Sequence, residues 1–285
     1  MNLTASIATI VTKNFSMNVY TDPYNKRLRV DDVTGNLSDA IIKAEELAGE
    51  MNAEKLIFKG REEQFPRLVE KGFQCEGMIE GYFLGSNMHF FSKYYTDERK
   101  KSDHWVTEDG IVKNVQQLEP SKSSIIPPSE YTLKKIEKKD AENLATLYRA
   151  VFEIYPTPLH DPTYIRKTID EGTIYYAFFL EDKCVSAASA EVNQLYKNAE
   201  LTDCATLPDH RKHGLMKILL EKLEEELVDN GIFCSYSLAR ALSFGMNAVL
   251  HQLNYHYRGR LMNNCFIYDK LEDMNVWVKD LSKSF

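Results

Sequence analysis

The most constraining feature of this sequence is a β-rich run that passes, after one short turn, into a strongly amphipathic helix. Residues 199–207 favour a strand, and from residue 215 to 228 the apolar positions fall on one helical face. Gly231 follows as a helix stop signal. Because such a helix must bury its apolar face against the sheet that its strand enters, the chain is expected to form a layered α/β fold.

Other periodic segments flank this unit. Two runs of aromatic and β-branched residues, 173–180 and 183–192, precede it and are separated by a short polar turn, which predicts an antiparallel meander. Further patterns predict helices at 137–152 and 243–253, a strand at 232–238, and strands after Tyr255 and Asn263. The order predicts a mixed α/β domain.

The N-terminal part repeats the end of this order. Helical patterns at 37–51 and 62–71 enclose a strand at 55–58, and an aromatic and glycine sequence follows at 72–77, as it does at 254–259. One interpretation is an internal duplication whose first copy has decayed. The other is the ordinary alternation of an α/β chain. The sequence leaves both open.

A change in composition divides the chain. The segment from about Tyr94 to Pro128 is polar and charged and ends in two prolines, which is typical of a connector. We therefore expect a smaller α/β domain at 1–95, a linker at 96–128 and a second domain at 129–285.

The charge balance limits the partners. A net charge of -7, from 35 basic and 42 acidic residues that are interspersed, gives no basic surface for nucleic acid or an anionic membrane. A small cationic substrate fits this balance better. Without an apolar run of about 18 residues or a signal-like start, the chain is expected to be cytoplasmic.

Neither the cysteines nor the histidines are spaced as metal ligands. The five cysteines include no C-x-x-C pair, so we expect reduced and mostly buried thiols. No metal is assigned, because the histidines lack zinc-ligand spacing. The histidines considered are His210, His213, His251 and His256.

The turn before the amphipathic helix has the character of an anion site. The first turn of a helix presents unpaired N–H groups and the positive end of the helix dipole, and Gly214 lets a phosphate approach the backbone. A diphosphate fits such a site, with Arg211 beside it. Alternatively, Gly214 only relieves a tight corner and Arg211 is a solvated surface residue.

The same turn, Arg211-Lys212-His213-Gly214-Leu215-Met216, resembles motif A of the GCN5-related N-acetyltransferases (GNAT). Met216 departs from the motif, which has a small residue there. The resemblance implies a GNAT fold for the C-terminal, catalytic domain and acetyl-coenzyme A as co-substrate. Under the duplication interpretation, the N-terminal domain would be a degenerate copy of the same fold. The implied cofactor-binding residues are Thr206, Leu207, Arg211, Lys212, His213, Gly214, Leu215, Met216 and Asn247.

Longer runs carry a narrower resemblance, to the β-lysine N6-acetyltransferases. They are residues 153–162, 201–208, 239–247, 259–265 and 272–277. This resemblance implies acetylation of the side-chain (N6) amine of β-lysine, which gives a compatible solute used in osmoadaptation. Acetylation of another small amine or a lysine side chain, and a non-catalytic acetyl-coenzyme A sensor, remain as alternatives. A homodimer is compatible with all of them.

Amine acetylation needs a base, because an ammonium with a pKa near ~10.4 is almost fully protonated at pH 7. Glu200 is the first candidate, since histone-type relatives place a catalytic glutamate at this position of the strand. Asp203 is the second candidate, and strand alternation predicts that it points to the face opposite Glu200. It could instead hold the cationic end of the substrate.

Tyr155, Arg240 and Ser243 are candidates for binding the acceptor. Arg240 could clamp a carboxylate with its planar fork, and Tyr155 lies in a proline-stiffened loop that could close over the substrate. The tyrosine that many relatives use as general acid would fall on Leu250. Ser243, Tyr236 or water could serve instead. For each side chain an ordinary structural role is the alternative.

Overall fold

A computed structural model describes residues 5–119, 126–267 and 270–283. In its first half the strands are β1 (Ser6–Val11), β2 (Phe15–Asp22), β3 (Arg27–Gly35), β4 (Lys55–Arg61), β5 (Gln74–Phe83) and β6 (Ser86–Tyr94). The strands of the second half are β7 (Tyr131–Lys135), β8 (Ile174–Leu180), β9 (Lys183–Asn193), β10 (Asn198–Thr206), β11 (Cys234–Arg240), β12 (His256–Ile267) and β13 (Lys270–Asp280).

Eight α-helices accompany these strands in the described ranges. They are α1 (Leu37–Glu50), α2 (Phe65–Glu70), α3 (Asp97–Lys100), α4 (Trp105–Gln116), α5 (Ala141–Val151), α6 (Pro162–Asp170), α7 (Leu215–Asp229) and α8 (Phe244–Gln252). The predicted mixed α/β class is confirmed. None of the helices in the described part of the chain is both long and apolar enough to cross a membrane.

All the strands form one sheet, in the order β1-β2-β3-β4-β6-β5-β12-β13-β11-β10-β9-β8-β7. In the C-terminal half β8 to β10 make the predicted antiparallel meander, which β7, not predicted, extends by one strand. Strands β10 and β11 are parallel because α7 crosses between them. Helix α7 packs its apolar stripe on β8, β9 and β10. Its Leu219, Leu223 and Leu227 are fully buried there.

The N-terminal half has the same succession of elements. Its strands run β1-β2-β3-β4-β6-β5, as β8-β9-β10-β11-β13-β12 run in the other half, and β3 and β4 are the parallel pair. Helix α1 lies where α7 does in the chain order, and α2 where α8 does. Asn36 caps α1 by accepting a hydrogen bond from the backbone N–H of Asp39. This equivalence supports the duplication interpretation.

The halves meet where β5 and β12 cross. Gly77 pairs with Gly259, and a Cβ at Gly259 would lie 2.2 Å from the carbonyl oxygen of Glu76, so only glycine fits there. An apolar cluster with members from both halves surrounds the crossing. In addition, the buried Lys55 forms an ion pair with Glu76 at 2.8 Å and donates to the carbonyl oxygen of Met262 at 2.7 Å.

The predicted linker contains structure of its own. Helices α3 and α4 lie within it, and Val115 of α4 is fully buried in the core of the C-terminal half. Arg99 of α3 is buried and donates to the carbonyl oxygens of Asn25 and Asn264. The segment therefore ties the two halves together, and its residues 120–125 lie outside the described ranges.

Candidate functional site

Strands β10 and β11 diverge after a short parallel pairing. Their ladder covers only three residue pairs and ends at Glu200 and Tyr236, and the Ser237 hydroxyl then donates to the carbonyl oxygen of Leu201 at 2.7 Å. Beyond this point β10 pairs only with β9, and β11 pairs only with β13. A cavity of about 720 Å³, which we call the splay cavity, opens between the strands.

The turn before α7 forms one end of the splay cavity. Gly214 is the N-cap residue and has φ +71°, a left-handed conformation that favours glycine. Six of the nine residues predicted to bind the cofactor line the cavity: Thr206, Arg211, Lys212, Gly214, Leu215 and Met216. The first-turn N–H groups of α7 have no intrahelical partners by helix geometry. The side chains of Arg211 and Lys212 and these backbone donors therefore lie at the same end of the cavity.

The other three residues of that prediction lie outside the lining. The backbone N–H of Leu207 donates to Val185 at 2.9 Å, and the exposed His213 ring lies 5.7 Å from the ring of Tyr131. Asn247 is fully buried, and its amide is engaged in four hydrogen bonds. The structure thus gives Asn247 the role of fixing the turn at the start of α8.

A β-bulge shapes the middle of β10. Thr202 pairs with Ser189 and Ala205 with Ala187, so β10 holds one extra residue between these pairs. Asp203 sits in the bulge with φ +53° and accepts a hydrogen bond from the Ser189 hydroxyl at 2.7 Å. The bulge aims this carboxylate at the face of the sheet that carries Ser189.

The prediction that Asp203 and Glu200 face opposite sides is therefore wrong. Glu200 pairs with Glu191 across the sheet, and Glu191 shares its face with Ser189, two residues earlier on β9. Asp203 bonds to that same Ser189. Simple alternation fails because the extra residue of the bulge reverses the order of faces.

Asp203 is the carboxylate that reaches the splay cavity. It is only 4% exposed and lines the cavity, whereas Glu200 is not among the lining residues. Burial raises the pKa of Asp203 to about 6; hydrogen bonds from Ser189 and Tyr155 oppose this shift, and the charge of Glu200 adds to it. Such a group is ionised at neutral pH and can still accept a proton.

The predicted acceptor-binding residues all line the splay cavity. Tyr155 stacks on Phe152 at 4.3 Å, and burial raises the pKa of its hydroxyl, which stays protonated beside Asp203. Arg240 forms an ion pair with the buried Glu272 at 3.1 Å. Ser243 lies at the N-cap of α8.

The residues considered for proton donation to the thiolate lie at separate places in the fold. Leu250, at the usual tyrosine position, is fully buried in the core. Tyr236 is also buried, and the charge of Glu200 acts on its hydroxyl. Of the two hydroxyl candidates only Ser243 lines the splay cavity. Lys217, whose buried side chain lines the cavity in the first turn of α7, was not predicted, because it follows the motif without belonging to it.

A second group of polar side chains was missed completely. Tyr20, Arg29, Asp31 and Lys59 of the N-terminal half face Glu191 and Glu200 of the C-terminal half, and their charges act on one another. We call this group the polar recess. More than 130 residues separate its two sides in sequence, so no local pattern could have predicted it.

Comparisons with known proteins identify relatives of this chain. The model of the Acetyltransferase (GNAT) family matches residues 141–248. N-acetyltransferase YodP of Bacillus subtilis (strain 168) is 42% identical over 260 residues, which cover 91% of this chain and 94% of that protein. A Beta-lysine N(6)-acetyltransferase of Methanosarcina mazei is 35% identical over 88% of this chain and 100% of its own length. Another, of Methanococcus maripaludis, is 31% identical over 90% and 93%.

Proposed function

This chain belongs to the acetyltransferase (GNAT) family, and from that premise we propose that it acetylates the side-chain (N6) amine of β-lysine with acetyl-coenzyme A. Two relatives that bear the name Beta-lysine N(6)-acetyltransferase, at 35% and 31% identity over nearly their full lengths, support this acceptor. The product, N6-acetyl-β-lysine, would serve as a compatible solute.

The residues at the mouth of the splay cavity suit acetyl-coenzyme A. Its diphosphate would be held by the side chains of Arg211 and Lys212 and by the first-turn N–H groups of α7, where Gly214 leaves the backbone open. Bound acetyl-coenzyme A supplies an acetyl thioester, so that an N–C bond forms, the C–S bond breaks and one proton passes to the thiolate. The diverging edge of β10 leaves room for the pantetheine arm.

The observation that carries the proposal is the placement of Asp203. Its carboxylate lies in the splay cavity, is held by Ser189 and Tyr155, and has a pKa raised to about 6 by burial. We assign to it the removal of the proton from the attacking ammonium, and to Ser243 or water the return of a proton to the thiolate. Tyr155 would orient Asp203.

Thiol release from acetyl-coenzyme A tests this function. We expect rapid release with β-lysine, slower release with α-lysine and little without an acceptor, and the product should carry the acetyl group on N6 by NMR. Asp203→Asn should slow release by about 10²-fold or more and Glu200→Gln should not, if Asp203 is the base. Binding of acetyl-coenzyme A without release for any amine would refute the enzyme assignment and favour a sensor.

A further inference from the structure

The polar recess is not used by the chemistry assigned above. On its N-terminal side, Arg29 donates two hydrogen bonds to the Asp31 carboxylate, from Nε at 2.7 Å and from Nη2 at 3.2 Å. The Lys59 ammonium lies 3.0 Å from the same carboxylate. Lys59 also donates to the Tyr82 hydroxyl at 3.0 Å. The guanidinium of Arg29 has five donors, so the pairing with Asp31 does not exhaust it.

These cations are held in place but remain in contact with water. The side chains of Arg29 and Asp31 are 29% and 26% exposed, and that of Lys59 is 10% exposed. Although burial alone would lower the pKa of Lys59, the neighbouring Asp31 raises it above the ordinary value. Lys59 is therefore a positively charged, positionally fixed side chain that borders a solvent-accessible recess.

The opposite wall is acidic. Glu191 and Glu200 are cross-strand partners on β9 and β10, and burial raises the pKa of both carboxyls, while Arg29 and Lys59 oppose this shift. Glu191 is nevertheless exposed to water. Two carboxylates side by side in a crowded recess repel each other, and a bound cation would relieve that repulsion.

Asp203 lines the splay cavity and also interacts electrostatically with the carboxyl groups of the polar recess. The charges of Glu191 and Glu200 act on Asp203, and all three carboxylates lie on one face of the sheet. Three residues of an extended strand span roughly 10 Å. An extended six-carbon diamino acid is of similar length, so its side-chain amine would lie at Asp203 when its other end lies in the polar recess.

A ring of contacts closes the rim of the recess. Arg61 of β4 donates to Asp32 and to the Tyr196 hydroxyl, both at 3.2 Å, and Tyr196 itself bonds to Asp32. The guanidinium of Arg61 also lies 3.8 Å above the ring of Phe83. These contacts join β3 and β4 to the β9–β10 turn and fix the distance between the two walls.

We propose that the polar recess is the acceptor subsite and that the N-terminal half determines acceptor specificity, with Lys59 and Arg29 binding the substrate carboxylate and Glu191 and Glu200 its 3-ammonium. The inference rests on the function proposed above. Glu191 and Glu200 thus offer carboxyl groups whose ionised forms a bound ammonium would stabilise, and Arg29 and Lys59 offer cations for one carboxylate. With Asp203 at the side-chain amine, this arrangement matches an acceptor with two ammonium groups and one carboxylate.

Relative acceptor selectivity in the full-length protein tests the proposal. We expect Lys59→Met to lower kcat/KM for β-lysine by roughly ten- to a hundredfold relative to kcat/KM for 1,4-diaminobutane, which has no carboxylate. The KM for acetyl-coenzyme A should stay unchanged. Lys43→Met is the matched control, because Lys43 is a surface lysine of the same half that pairs with Glu46 on α1.

The remaining outcomes separate this inference from the function. An equal loss for both acceptors would mean that Lys59 only holds the halves together, and would overturn the proposal. Arg240→Gln could instead lower the preference for β-lysine over 1,4-diaminobutane while Lys59→Met leaves that preference unchanged. This result would assign the substrate carboxylate to Arg240 and would also overturn the proposal. If the unaltered protein releases no thiol with any amine, the proposed function fails. Isothermal titration calorimetry then tests the inference by binding alone: the unaltered protein should bind β-lysine more tightly than Lys59→Met does, and equal affinities would overturn the inference.

Discussion

At the scale of single residues, one extra amino acid in β10 sets the direction of the Asp203 carboxylate. Asp203 adopts a positive φ in a bulge, and this turns its carboxylate from the helix α7 side to the side of Ser189 and Tyr155. A regular strand would bury the carboxylate among leucines, where it could neither ionise nor meet an amine. The bulge therefore creates the candidate base.

The pH dependence of activity follows from Asp203. Because only its ionised form accepts a proton and its pKa is about 6, kcat/KM should rise as pH increases through about 6 and then level off. Asp203→Asn should lower kcat by about 10²-fold or more and remove this acid limb. Asp209→Asn, at an exposed carboxylate six residues further on, should change neither. An acid limb that persists in Asp203→Asn would assign the base elsewhere.

At this scale the sequence predicted the turn before α7 but not the direction of the strand side chains. Motif spacing was sufficient to place Arg211 and Gly214 at the start of a helix, because a glycine there marks a tight turn before the first helical residue. It was insufficient for Asp203, since a bulge depends on how β10 registers with β9. Lys59 and Glu191 escaped detection because their shared environment exists only after the halves have packed together.

At the scale of elements, α7 connects the core to the cavity. One face of the helix is fully buried on the sheet, so its N-terminus is held rigidly at the mouth of the splay cavity. Both ends of the helix carry a left-handed glycine, Gly214 with φ +71° and Gly231 with φ +69°. The two positions share their backbone requirement, but only Gly214 borders the cavity.

This pair of glycines gives a matched test. Gly214→Val and Gly231→Val should lower the free energy of unfolding similarly, by about 1–3 kcal/mol, because both force a side chain into the left-handed region. Only Gly214→Val should raise the KM for acetyl-coenzyme A, by roughly tenfold, which corresponds to about 1.4 kcal/mol of lost binding. Equal KM values for the two variants would place the diphosphate away from this turn.

Most elements of the C-terminal half were predictable, because strong periodicity fixed the meander and α7. The prediction of the last two strands was less accurate. It started a new strand after Asn263, whereas β12 continues through Asn263 to Ile267. Asn263 has a positive φ, and its amide donates to backbone oxygens of the α3 region, which explains the irregularity without a break. Strands β1 to β3 were not predicted: β1 is exposed along most of its length and β3 alternates unevenly, although β2 alternates regularly over its first six residues.

At the scale of the whole molecule, the contact between Gly77 and Gly259 makes one sheet from two halves. The surrounding apolar cluster takes members from β5 and β6 on one side and from β11, β12 and β13 on the other. Cores shared in this way unfold together. The similarity of the halves could be suspected from the element order, but the contact that joins them could not.

Substitution at the crossing tests this cooperativity. Gly259→Ala should lower the free energy of unfolding by about 2–4 kcal/mol, because its Cβ would meet the Glu76 carbonyl and its φ of +132° suits only glycine. Gly110→Ala, where a Cβ meets nothing within 4 Å in α4, is the control and should be neutral or stabilising. Scanning calorimetry should give one transition for both; two resolved transitions would contradict a shared core.

The crossing of β5 and β12 also bears on how the protein behaves at high concentration. Each of these strands would be the unprotected border of its own half, and each is covered by the other, so that β1 and β7 are the outermost strands of the described sheet. Strand β7 carries Lys134 and Lys135, charges that discourage the addition of another strand. Strand β1, with Ile7 and Val11 exposed and no charge along its length, is therefore where self-association and precipitation would begin.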